Sequence, residues 1–350
     1  MRVAFVSAWT IQHEPTDGAA RLHSLATDLV DRGHHVVVFT AQWWEGDPDA
    51  FEMDDIQYRA VAASADGWRF PVRLPGAIRE FDPDVVHAVC TPPRHLLAAR
   101  VASFLTGARL IAECYDPPRS RNAFGRSMAR AGLRGADVVV TPSRTVRTRI
   151  REIGIPQDRI VVVPTGIEWE TIRSAEPADG GDIVYSRRLD GAANLETLLL
   201  ALAEFREYDW TATIVGEGPE RSTYERQARD LRIEDRVEFV GERSVEERIA
   251  LFKDAHVYVH TAEYTPFAID LLRALAAGCV GIVEYHADSS AHELVEQEHR
   301  GFTATNAQEL TNRLVAAADI DRRTVDDSFA EFDRRSALER YLDLYRGEQA

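Results

Sequence analysis

The stretch Ala262–Tyr285, AEYTPFAIDLLRALAAGCVGIVEY, decides how the chain is read. It runs from the end of one apolar segment, through a loop and a helical segment, into a second apolar segment. Strand, loop, helix, strand is the unit of an α/β domain with a parallel sheet.

The same alternation continues outward. The first half holds the apolar runs RVAFVSA, HVVVFT, DVVHAV, ARLIAE, DVVVTPS and RIVVVPTG. The second holds DIVYS, TATIVGEG, VEFVG, HVYVHTA and VGIVEY. Near-continuous Val/Ile runs belong to strands buried on both faces, hence to parallel sheets. Between Gly18 and Gly33, Leu22, Leu25, Ala26, Leu29 and Val30 share one helical face, and Gly33 ends the pattern. NLETLLLALAEF and SVEERIALFKDA read as connecting helices. The polar, Pro/Gly-containing segment 174–182, SAEPADGGD, reads as a linker between a domain over 1–173 and a second over 183–328. Residues 329–350 read as a terminal helix. Doubly wound domains bind ligands at the carboxyl ends of their strands, but fold alone does not choose the ligand.

Composition narrows the classes. A formal net charge of −16 argues against a general nucleic-acid binder. Of 41 basic residues all but Lys253 are arginine; an acidic chain nearly free of lysine is what cytoplasmic proteins of salt-loving archaea look like, and a GC-rich genome also exchanges Lys for Arg. No apolar run spans a bilayer, and MRVAFVSAWT reads as a strand, not a signal peptide. Cys90, Cys114 and Cys279 are far apart and odd in number, which suits a reducing cytoplasm. No G-x-G-x-x-G follows the first strand, which disfavours a dinucleotide dehydrogenase. His87 reads as a core histidine. Trp43, Trp44 and Trp68 read as packing residues in an irregular region over 43–76. His256 and His260 share a strand face without the further ligands a metal site needs.

Seven segments in order and spacing carry a resemblance: DGAARLHSLATDLVDRGHHVVVFT, DPDVVHAV, ADVVVTPSRTVRTRIREIGIPQDRIVVVPTGIE, SRRLDGAANLETLLLALAEF, IVGEGPE, VEFVGERSVEERIALFKDAHVYVHTA and LLRALAAGCVGIV. Together they resemble the GT-B glycosyltransferases, in particular the large retaining family 4, over nearly the whole chain. The resemblance implies two tandem doubly wound, Rossmann-like domains with a cleft between them. The first would bind acceptor, the second a nucleotide-sugar, and the last helix would pack back toward the first domain. No metal or other cofactor is implied, because cations and backbone dipoles neutralise the leaving diphosphate.

Several family positions are altered. The family's Gly-Arg-Leu appears as Arg187-Arg188-Leu189, and Ala193 stands where it has a lysine. Arg188 is the matched diphosphate ligand, with Arg187 as a second cation. The family's two glutamates fall on Thr265 and Arg273, leaving Glu263 and Asp270 as neighbouring acids. Its His-Asp pair appears as Tyr115-Asp116. These matches make Asp116 and Asp270 the expected catalytic carboxylates. They make Arg187, Arg188, Gly216, Glu217, Thr265, Ser289, Ser290 and Glu293 the expected donor-binding residues, and Asp17, Gly18 and Tyr115 the acceptor side.

From Arg119 to Arg151 nine arginines accompany one acid, Asp137. Arg126, Arg130 and Arg134 share a helical face near Phe124 and Met128, a pattern suited to anionic lipid, or to a solvated face paired with local acids. The expectation is a cytoplasmic, peripheral hexosyltransferase acting on a lipid-linked, dolichol-phosphate-type glycan for surface-layer glycoproteins. A non-catalytic nucleotide-sugar-binding partner of another transferase, or a sugar-nucleotide epimerase, stands as the alternative.

Overall fold

In the computed structural model, which describes residues 1–46, 50–118 and 123–348, the chain divides into two units. Residues 1–164 and 335–350 form one, and 165–334 the other.

The first unit is built on strands β1 (Arg2–Val6), β2 (His35–Ala41), β3 (Ala50–Met53), β4 (Ile56–Ala62), β5 (Val85–Val89), β6 (Arg109–Glu113), β7 (Val138–Thr141) and β8 (Ile160–Val162). Their order is β3-β4-β2-β1-β5-β6-β7-β8. All neighbours are parallel except the β3–β4 pair. Val3, Ala4, Phe5 and Val6 of β1 are all buried, because the central strand carries helices on both faces. Each fully buried Phe, Leu or Val contributes about 1.5–3 kcal/mol.

The helix Asp17–Asp31 starts where Thr16 caps the Ala19 N–H, and turns Leu22, Leu25, Ala26 and Leu29 to the core. Gly33 follows at φ +77°, a left-handed position that glycine takes without strain. The region 43–76, expected to be irregular, instead supplies β3, β4 and the start of the helix Arg69–Phe81. The alternation Ile56, Tyr58 buried against Gln57 exposed marks an edge-side strand. It was hidden in the sequence by polar residues on the open face.

The terminal helix Arg334–Arg346 buries Leu338, Tyr341, Leu342, Leu344 and Tyr345 in the core of this unit. A buried polar network fixes it there. Tyr341 Oη donates to Glu113 Oε2 at 2.7 Å, Arg21 Nε lies 3.2 Å from Glu113 Oε1, and His87 Nδ1 is 2.7 Å from Tyr345 Oη. Arg21 and hydrogen bonds hold the buried Glu113 carboxyl below the usual range against the opposing effect of burial. His87 is therefore a core residue. Cys90 and Cys114, distant in sequence, follow the paired residues Val89 and Glu113 and are both buried.

The second unit contains β9 (Ile183–Ser186), β10 (Ala212–Val215), β11 (Val237–Gly241), β12 (Val257–His260), β13 (Val280–Glu284) and β14 (Gly301–Ala304). One ladder runs β14-β13-β12-β9 and another pairs β10 with β11. Bonds from Ile183 N to Thr211 O and from Arg187 N to Val215 O lay β10 along the other side of β9. β14 was not expected from its sequence, GFTA, because it is short and only its last residue is buried.

The expected linker 174–182 is instead part of this unit. Trp169 and Ile172 are buried just ahead of it. Ala178 N bonds Ala250 O, and Gly180 N bonds Asp254 Oδ2 at 3.0 Å. A polar composition here marks capping contacts to the helix Val245–Asp254, not freedom. The chain passes between units at Pro164/Thr165 and Arg334/Arg335. Asp327–Phe332 is a 3-10 turn of the second unit, so the terminal helix begins five residues later than the expected 329.

Candidate functional site

In the second unit β9 is the first strand, with later strands added on both sides of it. Its carboxyl end is thus a topological switch point, where α/β sheets bind ligands. Ser186, Arg187 and Arg188 lie there, beside the loop that follows β12 and begins the helix Ile269–Ala276.

The loop after β10 shapes this end by close backbone approach. A Cβ on Gly216 would stand 2.0 Å from Arg187 O, and one on Gly218 would stand 2.1 Å from Leu189 O. Leu189 N donates to Glu217 O at 2.9 Å. The glycines of GEGP therefore seat the backbone of 187–189, while the Glu217 side chain pairs with Arg221.

Arg187 turns toward the loop after β12. Its Nη1 donates to Thr265 Oγ1 at 2.9 Å and its Nη2 to Tyr264 O at 3.2 Å, and its buried Nε has no partner among the described residues. His260 Nε2 lies 3.0 Å from the same Thr265 hydroxyl. Burial, then Arg187, pushes His260 down to about 3, so the ring stays neutral beside the guanidinium. Ser290 N donates to Thr265 O at 2.8 Å and Ser290 Oγ to Pro266 O at 2.7 Å. Ser289 and Ser290 are buried; they brace the Thr265 loop and present no open hydroxyl. Glu293 is half-buried in the following 3-10 turn. Arg188 has a side chain 72% exposed, with Asp190 3.9 Å away.

Asp270, expected as a catalytic carboxylate, is held by three side-chain donors. Its Oδ2 accepts from Ser186 Oγ at 2.7 Å and Arg248 Nη1 at 2.7 Å; its Oδ1 accepts from Arg273 Nη1 at 2.9 Å. Arg273 also makes a two-pronged contact of 2.9 Å per bond with Glu168. Burial raises the Asp270 carboxyl, but Arg248, Arg273 and Ser186 together hold it below the ordinary range. Arg273, at the family's second glutamate position, thus has its acids at 168 and 270. Sequence reading missed Glu168, Arg248 and Ser186, because partners 105 and 22 residues away carry no local pattern.

In the first unit Asp17 and Gly18 open the helix at the carboxyl end of β1, and Tyr115 and Asp116 follow β6. A Cβ on Gly18 would meet the Tyr115 ring at 3.2 Å, so these residues are adjacent. Tyr115 is buried and Asp116 exposed. Cys90 Sγ bonds Asp116 O at 3.6 Å.

Fold and sites define a protein of two doubly wound α/β units, each with polar side chains gathered at the carboxyl edge of its sheet. Residues 18–166 match the glycosyl transferase 4-like domain, and residues 169–320 match the glycosyl transferases group 1. Together these two glycosyltransferase domains span most of the chain: it is a glycosyltransferase of GT-B fold. It is 26% identical over 328 residues to the glycogen synthase of Mycobacterium tuberculosis, across 79% of this chain and 76% of that one. It is 23% identical over 246 residues to the alpha-monoglucosyldiacylglycerol synthase of Streptococcus pneumoniae, across 64% and 55%. Among solved structures it resembles Anabaena HepE in complex with UDP and glucose, with a TM-score of 0.75, 18% identity, and coverage of 99% and 100%.

Proposed function

We propose that this glycosyltransferase moves a hexosyl residue from a nucleotide-sugar held by its second unit to a lipid-linked glycan acceptor of dolichol-phosphate type. The carrying observation is Arg187. Its half-buried guanidinium is fixed by Thr265 and Tyr264 and has no carboxylate at ion-pair distance among the described residues. Arg188 stands next to it. A nucleoside diphosphate supplies the missing negative charge, and two adjacent guanidinium groups stabilise its departure. The relative solved with UDP and glucose supports such a donor, and the relative named for a glucosyldiacylglycerol supports a lipid acceptor.

Arg188→Ala is expected to weaken nucleotide-sugar binding by about 1.5–3 kcal/mol, the worth of a charge-assisted contact. Calorimetry with UDP-, GDP- and ADP-hexoses in multimolar KCl checks this. Wild-type affinity in the variant would remove Arg188 from the donor site.

The acceptor side is read as lying against the cytoplasmic face of an anionic membrane. Phe124 is 72% exposed on the helix Ala123–Arg134, beside exposed Arg126 and Arg130. Met128 is half-buried, and Arg119 and Arg121 lie outside the described residues. Trp68, expected to pack, is 64% exposed, and Val72 is 72% exposed beside Arg69 and Arg73 on the helix Arg69–Phe81. Among the described residues no helix is long and apolar enough to cross a membrane. Salt near 1 M shortens the Debye length to about 3 Å, so attachment in high salt needs direct Arg–phosphate contact and apolar burial. Wild-type protein is expected to float with anionic vesicles in 2 M KCl, and Phe124→Ser/Trp68→Ser to stay behind. Failure of the wild type to float at any salt concentration would make the acceptor a soluble one.

A second reading, a nucleotide-sugar-binding partner without turnover, draws support from Asp270, whose two oxygens are taken by arginines and a serine.

A further inference from the structure

The helix Pro93–Thr106 begins at the carboxyl end of β5, beside β1, at the switch point of the first unit. Two side chains of its first turn, Arg94 and His95, carry buried nitrogens without partners among the described residues. Its N-cap residue, Pro92, makes no side-chain cap, and the His95 N–H turns back to Pro92 O at 2.9 Å. Arg94, the next residue, has no carboxylate partner among the described residues. Its Nη2 donates to Ala65 O at 3.2 Å, and its buried Nε is unpartnered. His95 is 2% exposed, and neither ring nitrogen has a hydrogen-bond partner among the described residues.

Two orphan imidazole nitrogens and one orphan guanidinium N–H in a single turn are costly to bury. Protein structures tolerate such a group where a ligand or ordered water completes it. Burial and the neighbouring Arg94 push His95 down to about 4. A neutral imidazole therefore offers one N–H and adds no repulsion to the arginine. The ring packs with Phe70, with centroids 4.5 Å apart, and lies near Trp9, with centroids 6.1 Å apart. Trp9 is 40% exposed, so part of its ring is open to solvent next to the buried imidazole.

We propose that this turn is a phosphate-binding site, with Arg94 as its cation, His95 as a hydrogen-bond donor and the helix N-terminus as its dipole. The phosphate is that of the acceptor. This rests on the reading of the chain as a transferase to a lipid-linked acceptor, and names the group by which that acceptor is held. Trp9 then lies where an apolar or sugar portion next to the phosphate would pack.

The test uses the full-length protein carrying Arg187→Ala/Arg188→Ala, which removes phosphate binding at the donor side. Calorimetry follows inorganic phosphate, citronellyl phosphate (a short, soluble polyprenyl phosphate) and glucuronate. Inorganic phosphate is expected to bind, and citronellyl phosphate to bind more tightly. Adding Arg94→Gln should weaken both roughly tenfold to a hundredfold, Arg94→Lys should restore part of the loss, and His95→Gln should weaken both. Thermal midpoints show which variants fold; if Arg94→Gln does not, the same comparison is made with Arg94→Lys, which should bind less tightly than the parent. Absence of phosphate binding in the parent, equal binding in the folded variants, or tighter binding of glucuronate than of either phosphate overturns the site. Sugar transfer by the wild-type protein without phosphate binding in the Arg187→Ala/Arg188→Ala parent would overturn this inference alone. Phosphate binding in that parent without transfer by the wild-type protein would overturn the transferase reading and leave the anion site in place.

Discussion

Replacing Asp270 by Ala is expected to destabilise the second unit by about 3–5 kcal/mol, the cost of leaving a buried ionic cluster without one partner. Arg273 is 5% exposed and Arg248 is half-buried. Glu168 would still pair with Arg273, but Arg248 and the Ser186 hydroxyl would lose their acceptor. Asp270→Asn should cost less, because an amide oxygen still accepts from Ser186. The pH dependence has a definite sign. The folded-state carboxyl lies below its ordinary value, so its contribution is complete above about pH 4 and fades as pH falls further, toward the folded value. Wild-type stability should therefore drop in that acid window, and Asp270→Ala should show a flatter acid limb. Denaturant titrations between pH 3 and 7 measure both. An Asp270→Asn protein as stable as wild type but without turnover would return Asp270 to the chemistry.

Asp116 is expected to behave in the opposite way. It is exposed at the end of β6, next to Tyr115 and within the first unit's gathering of polar groups. Asp116→Asn keeps the shape and removes the charge. Folding and donor affinity should stay at wild-type values. Turnover should fall by roughly a hundredfold or more, the scale of losing a group that stabilises charge only in the transition state. A retaining transfer passes through an oxocarbenium-like centre, which a nearby carboxylate stabilises. Steady-state rates with a saturating donor separate the two carboxylates: Asp270 is expected to affect stability and Asp116 rate. An Asp116→Asn enzyme with wild-type rate would place the carboxylate elsewhere.

The contrast between Asp116 and Asp270 shows what the sequence could reveal. The Val/Ile runs gave five of the six strands of the second unit, because buried parallel strands need little else. They missed β3, β4 and β14, which are short or half-exposed. The resemblance located Arg187, Arg188, Thr265 and Asp270, and the fold does gather them at one sheet edge. What they do there depends on partners far away in sequence. Thr265 proved to be held by Arg187 and His260, and Asp270 by Arg248 and Arg273. Neither arrangement leaves a periodic or motif signal. The arginine at 273 did announce a charge change at a glutamate position, but its acid at 168 could only be found by folding the chain. Arg94 and His95 drew no attention for the same reason: an orphaned nitrogen is a property of surroundings, not of residue type.

The most direct measurement is mass spectrometry of the lipid fraction after incubation with nucleotide-hexoses and a dolichyl-phosphate-linked glycan in multimolar KCl. The account predicts that one donor adds a single hexose to the lipid carrier, that Arg188→Ala requires more donor to do so, and that Asp116→Asn binds the donor without adding the sugar. A wild-type protein that binds a nucleotide-sugar in calorimetry, yet leaves every lipid acceptor unchanged with every donor, would contradict it.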